Sequence, residues 1–134
     1  ADYAAGKAAY DAGDYETAYN EWLPLAEAGD AKASFAIGLM YDNGVAVEQS
    51  LDEAIKYYRI SSENGYAPSN LSLGVSLLMN STSNKDEIIE GIVAIIKAIS
   101  LKVEKAEEAL KIVKETIPPS YINEAYETFE ANQG

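Results

Sequence analysis

The pattern of apolar, small and polar positions repeats along the chain. Shifted by 36 residues, Glu27-Ala28-Gly29-Asp30-Ala31 falls on Glu63-Asn64-Gly65-Tyr66-Ala67, Gly38 on Gly74, Ala18 on Ala54 and Trp22 on Tyr58. Gly6 falls on Gly38 at a shift of 32, because the loop Asn43 to Gln49 is longer than its counterpart Ala12-Gly13-Asp14. Self-similarity of this period marks stacked supersecondary units that share a core. Each unit reads as a pair of helices. Asp30 is placed to cap a helix running to about Asp42, and Asn43-Gly44 breaks it. Ser50-Leu51-Asp52-Glu53 has the form of a capping box, with serine and glutamate side chains each accepting from the other's amide. The helix that follows ends near Asn64, with Gly65 placed for a left-handed turn. Asp14 caps the matching helix of the first unit, and Gly29 ends it. The third unit starts near Ala67, loops at Asn80 to Asn84, and begins its second helix near Asp86. The expected organisation is one all-α domain over 1–134. It has units at about 1–29, 30–65 and 66–102 and a cap at 103–134, whose two closing helices lie near 103–116 and 119–131.

Glycine inside a helix costs about 1 kcal/mol against alanine. Gly6, Gly38 and Gly74 repeat that cost, and a repeated cost implies a repeated cause, the close approach of the partner helix. Ala18, Ala54 and Gly91 occupy one equivalent position on the second helices and make the same case there. The stretch Asp86 to Ser100 is apolar nearly all round: Ile88, Ile89, Ile92, Val93, Ile95, Ile96 and Ile99 leave a thin strip of Glu90, Ala94 and Lys97. Such a helix is buried on most sides, here by the two closing helices. The alternative is an exposed patch used for self-association or a partner.

Composition narrows the chemistry. The 134 residues include 48% hydrophobic ones, enough for a core without covalent staples, and neither cysteine nor histidine. Disulfides, thiolate chemistry, the commonest general base and the commonest transition-metal ligand are excluded. The formal net charge is -12, with 12 acids against 4 bases in residues 1–66 and 10 against 6 in 67–134. This charge repels phosphate backbones and anionic lipid and favours a basic protein partner, although it also serves plain solubility. No apolar run reaches the roughly 18 residues needed to span a bilayer. The chain opens on Ala1-Asp2, which fits a processed exported protein and equally a sequence trimmed for expression. An initiator methionine directly before Ala1 would contradict export.

These residues resemble the Sel-one-like repeat family, relatives of the tetratricopeptide repeats. The clearest copy is Ala33, Ile37-Gly38-Leu39-Met40-Tyr41, Asn43-Gly44, Val47, Ala54-Ile55-Lys56-Tyr57-Tyr58 and Gly65. It departs at Ala46, where a second loop glycine is usual, and at Ser61-Ser62, where alanines are usual. The third unit is degenerate: Leu77 replaces a tyrosine and Lys102 the terminal glycine. The opening, Tyr3 to Gly6 with Gly13 to Ala18, looks like the first unit of small exported bacterial members. Ala106 to Val113 with Pro118-Pro119, Ile122 and Glu124-Ala125 looks like their closing cap. The resemblance implies a right-handed α/α solenoid of about three hairpins plus closing helices, with the first helix of each unit lining a concave face. It implies adaptor or scaffold work, does not imply catalysis and fixes no partner; no cofactor is expected. The location expected from it is the bacterial periplasm or the exterior.

Other motifs resolve into structural roles. Tyr41, Tyr57, Tyr58 and Trp22 sit at family packing positions. Asp52-Glu53 belongs to the cap and Glu107-Glu108 to a solvated helix face, so neither is read as an acid/base pair; no catalytic residue and no metal ligand is expected. Asn80-Ser81-Thr82 and Asn70-Leu71-Ser72 match a glycosylation acceptor pattern at chance frequency. Two rows of equivalent positions remain on the first helices: Tyr3, Phe35 and Leu71, and Lys7, Leu39 and Val75. Members of the two rows are four apart in each helix and so share one face. They avoid the family packing positions Ala5, Ile37 and Leu73, and are candidates for a groove taking an extended or helical peptide. The opposing reading is that they pack against neighbouring helices. The function expected is protein binding by an adaptor or regulator; the alternative is a hydrolase or small-ligand binder using the acidic groove.

Overall fold

The computed structural model describes residues 1–133. Among them are eight helices and no strand: α1 Tyr3–Asp11, α2 Tyr15–Glu27, α3 Ala31–Asn43, α4 Leu51–Glu63, α5 Pro68–Met79, α6 Lys85–Ser100, α7 Ala106–Thr116 and α8 Pro119–Ala131. The starts and stops follow the caps. Asp14 accepts from the Thr17 amide at 3.3 Å and Asp30 from the Ala33 amide at 2.8 Å. Gly29 and Gly65 both turn the chain at a φ of +93°, which glycine adopts without a side-chain penalty. At Ser50 the expected capping box is only half made. The serine oxygen accepts from Glu53 at 3.2 Å, but the Ser50 amide donates to the Tyr41 carbonyl at 2.9 Å. The preceding loop folds back onto α3 and takes the donor that Glu53 would have used. A full box forms instead at α6, where the Asn84 amide donates to Glu87 and the Glu87 amide to Asn84.

The chain forms two units, Ala1–Ser69 and Asn70–Gly134. In the first, α2 packs on both α1 and α3, and α3 on α4. Its core gathers Ala18, Trp22, Ala26, Ala33, Ile37, Met40 and Tyr57. The small residues act as expected. A methyl placed on Gly6 would lie 2.3 Å from Trp22 Nε1, and one on Gly38 would lie 2.6 Å from the Tyr58 ring. Helix and aromatic partner therefore meet at a separation that excludes any side chain. Ala5, grouped with Ile37 and Leu73 as a packing position, is exposed instead. α1 presses on α2 through the Gly6 side, which turns Ala5 outward.

In the second unit the side chains of Ile89, Ile92, Ile95 and Ile96 meet Leu110 and Val113 of α7 and Ile122 and Ala125 of α8. The isoleucine-rich helix is thus covered from within the unit. Ala94, placed in the polar strip by its position, is also buried. α5 and α6 touch at Gly74, where an added methyl would lie 2.6 Å from the Gly91 carbonyl oxygen. The two residues that stand where the family pattern has glycine, Ala46 and Lys102, both keep a left-handed backbone, with φ of 63° and 59°.

Candidate functional site

Four of the six sequence-singled residues line one open groove of about 260 Å³ in the first unit: Tyr3, Lys7, Phe35 and Leu39. α1 supplies Tyr3 and Lys7 one turn apart, and α3 supplies Phe35 and Leu39 in the same relation. Close helix contact at Gly6 and Gly38 sets their depth. Trp22 of α2 closes the floor and is 5% exposed. Its indole Nε1–H donates to the Tyr3 carbonyl at 3.0 Å, and the Tyr3 ring stacks on it at 5.6 Å. Phe35 leans on Tyr66 at 5.1 Å and on Tyr58 at 5.8 Å, so it is a structural member of the wall. Leu39 is 37% exposed and stands at the rim.

Tyr10, Asp11 and Tyr66 also line the groove. The helical spacing Tyr3, Lys7, Tyr10 puts Tyr10 on the same face of α1, so this residue was legible in the sequence. Tyr66 was not, because the repeat places it opposite Asp30, a cap. Lys7 Nζ donates to Asp11 Oδ2 at 3.0 Å, and that hydrogen bond with the carboxylate charge raises the ammonium pKa. The Tyr3 hydroxyl is pushed up, first by burial and then by Tyr66, with Asp30 adding to it and Lys7 opposing. The walls are therefore aromatic, and the one carboxylate among the lining residues is engaged by an ammonium. Nothing in this arrangement positions a nucleophile or a pair of carboxylates across a cleft.

The remaining two candidates lie in the second unit. Leu71 is half-buried against the isoleucine cluster and packs there. Val75 lines an apolar groove of about 280 Å³ with Leu78, Met79, Ile112 and Ile117 among others. Met79 and Ile112 are 73% and 62% exposed, the two largest exposures of a large hydrophobic side chain among the described residues.

Elsewhere the tyrosines do packing work. Tyr41 stacks on Tyr57 at 5.9 Å and shares a hydrogen bond with the Tyr19 hydroxyl at 3.0 Å. Tyr58 donates to Asp42 at 2.9 Å. Burial first, then the hydrogen bond to Asp42 and the nearby carboxylate charge, raise its pKa. Among the described residues no group of three or more acidic side chains is arranged to hold a metal ion, and no helix is long and apolar enough to cross a membrane.

No protein-family model matches the chain, and no curated protein does. In structure it is similar to a Sel1 repeat protein from Oxalobacter formigenes. The TM-score is 0.73 and the identity 26%, over 84% of this chain and 46% of that one. The fold is thus the all-α hairpin repeat of a Sel1-like protein, as the residue pattern led us to expect. This chain spans less than half the length of that relative.

Proposed function

We propose that the protein is a binding module that docks a segment of a partner protein in the first-unit groove. At the level of the family, a Sel1-like repeat fold suggests a scaffold for protein–protein contacts. The observation that carries the reading for this chain is the convergence of repeat-equivalent positions on α1 and α3, Tyr3 with Phe35 and Lys7 with Leu39, around one aromatic groove. Aromatic side chains in partly desolvated pockets are the usual anchors of protein recognition. A hydrolase of two carboxylates would need a second acid beside Asp11, and the groove lining holds none. We propose a basic partner, supported by the acidic excess of residues 1–66, and action as an adaptor or regulator in the bacterial envelope. The likeness of the opening unit and closing cap to exported members supports that location. Cell fractionation with detection of the native protein tests it, and recovery in the cytosol alone rejects it.

The groove is tested at Leu39. Phe35 is unsuited, because its ring also packs on Tyr58 and Tyr66. Leu39→Lys places a cation on an exposed rim position, where it repels a basic partner, and should leave the melting temperature within about 2 °C, as for surface changes worth under ~0.5 kcal/mol. A partner captured from the native host by the parent chain should be lost by this variant. Retained capture at unchanged stability places the docking surface elsewhere.

A further inference from the structure

We infer that the first-unit groove takes an arginine side chain of its partner, and that Lys32 is a built-in competitor for that position. The inference rests on the reading of this groove as a docking site. Three observations carry it. The first is the wall chemistry: Tyr3, Tyr10, Phe35 and Tyr66 offer ring faces and edges around one space, with Trp22 beneath. Such rings attract a cation through their quadrupole. The second is that the chain already does this to itself. Lys32 Nζ lies 5.4 Å from the centroid of the Tyr3 ring. The third is charge. Residues 1–66 carry 12 acids against 4 bases. The three lysines among them are all engaged: Lys7 on Asp11, Lys32 on Tyr3 and Lys56 on Tyr57. The net formal charge of these residues, 12 acids against 4 bases, favours a cationic partner.

Arginine fits better than lysine. A guanidinium stacks flat on an aromatic ring and donates in a fork to a carboxylate, whereas an ammonium is a strongly hydrated point charge. Asp11, at the groove edge, is 61% exposed on its side chain and its ion pair with Lys7 is a surface one. Surface pairs of this kind are weak, so Asp11 can exchange Lys7 for a guanidinium. Lys32 is also exposed, so its ammonium can leave the Tyr3 ring for water.

The test is a nuclear magnetic resonance titration of the full chain, following the Trp22 indole N–H at the groove floor. The probes are three acetylated, amidated peptides with the sequence Gly-Ser-Leu-X-Leu-Ser-Gly, where X is arginine, lysine or citrulline. Citrulline keeps the shape of arginine and removes the charge. The arginine peptide should shift the indole signal and bind at least about five-fold more tightly than the citrulline one. Lys32→Gln should tighten arginine-peptide binding by about three-fold or more, and by more than Lys56→Gln, which makes the same charge change away from the groove. Equal binding of the arginine and citrulline peptides overturns the inference, as does a Lys32→Gln effect no larger than that of Lys56→Gln. Tighter binding of the lysine peptide than the arginine one overturns the assignment to a guanidinium. If none of the peptides moves the indole signal, the arginine inference falls. Loss of the native partner by Leu39→Lys would still support the docking groove itself.

Discussion

Gly6→Ala tests the link between helix packing and groove geometry most directly. On an isolated helix the change gains about 1 kcal/mol. In this fold the new methyl would lie 2.3 Å from Trp22 Nε1 and 2.6 and 2.7 Å from two indole carbons. The indole is 5% exposed and stacked under Tyr3, so it has no free volume to move into. Overpacking of this kind costs about 1–3 kcal/mol. Displacing the ring also breaks its 3.0 Å hydrogen bond to the Tyr3 carbonyl, a further loss of about 1 kcal/mol. The balance is a net destabilisation of about 1–3 kcal/mol. Urea unfolding followed by circular dichroism measures it, and emission of the single tryptophan reports the ring itself. The emission maximum of the folded variant should move to the red as water reaches the indole. Ala8→Gly, on the exposed side of the same helix, calibrates the propensity difference at about 1 kcal/mol. A Gly6→Ala protein that gains about 1 kcal/mol with unchanged emission would refute the close-approach argument for all the mid-helix glycines.

Three further outcomes follow from the packing. Gly74→Ala should destabilise the chain by at least about 1–2 kcal/mol in urea unfolding, because the methyl would meet the Gly91 carbonyl oxygen at 2.6 Å, and a backbone atom cannot rotate away. Ala46→Gly and Lys102→Gly should each raise stability, by up to about 1 kcal/mol, since both residues hold a left-handed backbone that costs a side-chain-bearing residue about 1–2 kcal/mol, offset in part by the freer unfolded chain. A loss of stability at either would mean that its side chain contributes more than the backbone relief. Stability should also fall as pH rises above 10. Tyr58 holds its proton in the folded state, because burial and Asp42 raise its pKa above the ordinary value of 10.0, whereas the unfolded chain ionises there. Its contribution is whole below pH 10 and is lost above it, at up to about 1.4 kcal/mol per pH unit. Tyr58→Phe should flatten the alkaline slope of the urea midpoint, and an unchanged slope would reject Tyr58 as its source.

The repeat made most of the helix boundaries legible, because caps and glycines carry their own geometry. Asp14, Asp30, Gly29 and Gly65 act locally, and a local rule is visible in one sequence. The capping box at Ser50 failed for a nonlocal reason: the Tyr41 carbonyl, reached through the loop, took the amide first. Ala5 was assigned by family position, and only the orientation of α1 on α2 shows that it faces outward. The groove residues Tyr3, Lys7, Phe35 and Leu39 were legible because repeat equivalence and four-residue spacing both select them. Leu71 satisfied the same rules, yet it packs against the isoleucine cluster. Equivalence by sequence shift carries no information about which neighbour fills the space beside a side chain. Tyr66 escaped because it breaks the repeat at a position where the other copy needs a cap.

The two cores are built from different materials. Eight of the ten tyrosines and the single tryptophan fall in residues 1–69, whereas nine of the twelve isoleucines fall in 70–134. Aromatic absorption and near-ultraviolet dichroism therefore watch almost only the first unit, and isoleucine δ-methyl resonances watch mainly the second. One unlabelled sample read in the ultraviolet and one methyl-labelled sample read by magnetic resonance would each follow a different part of the same molecule. Coincident curves from the two would establish that the units unfold as one cooperative body. Separated curves would yield a free energy for each unit without cutting the chain.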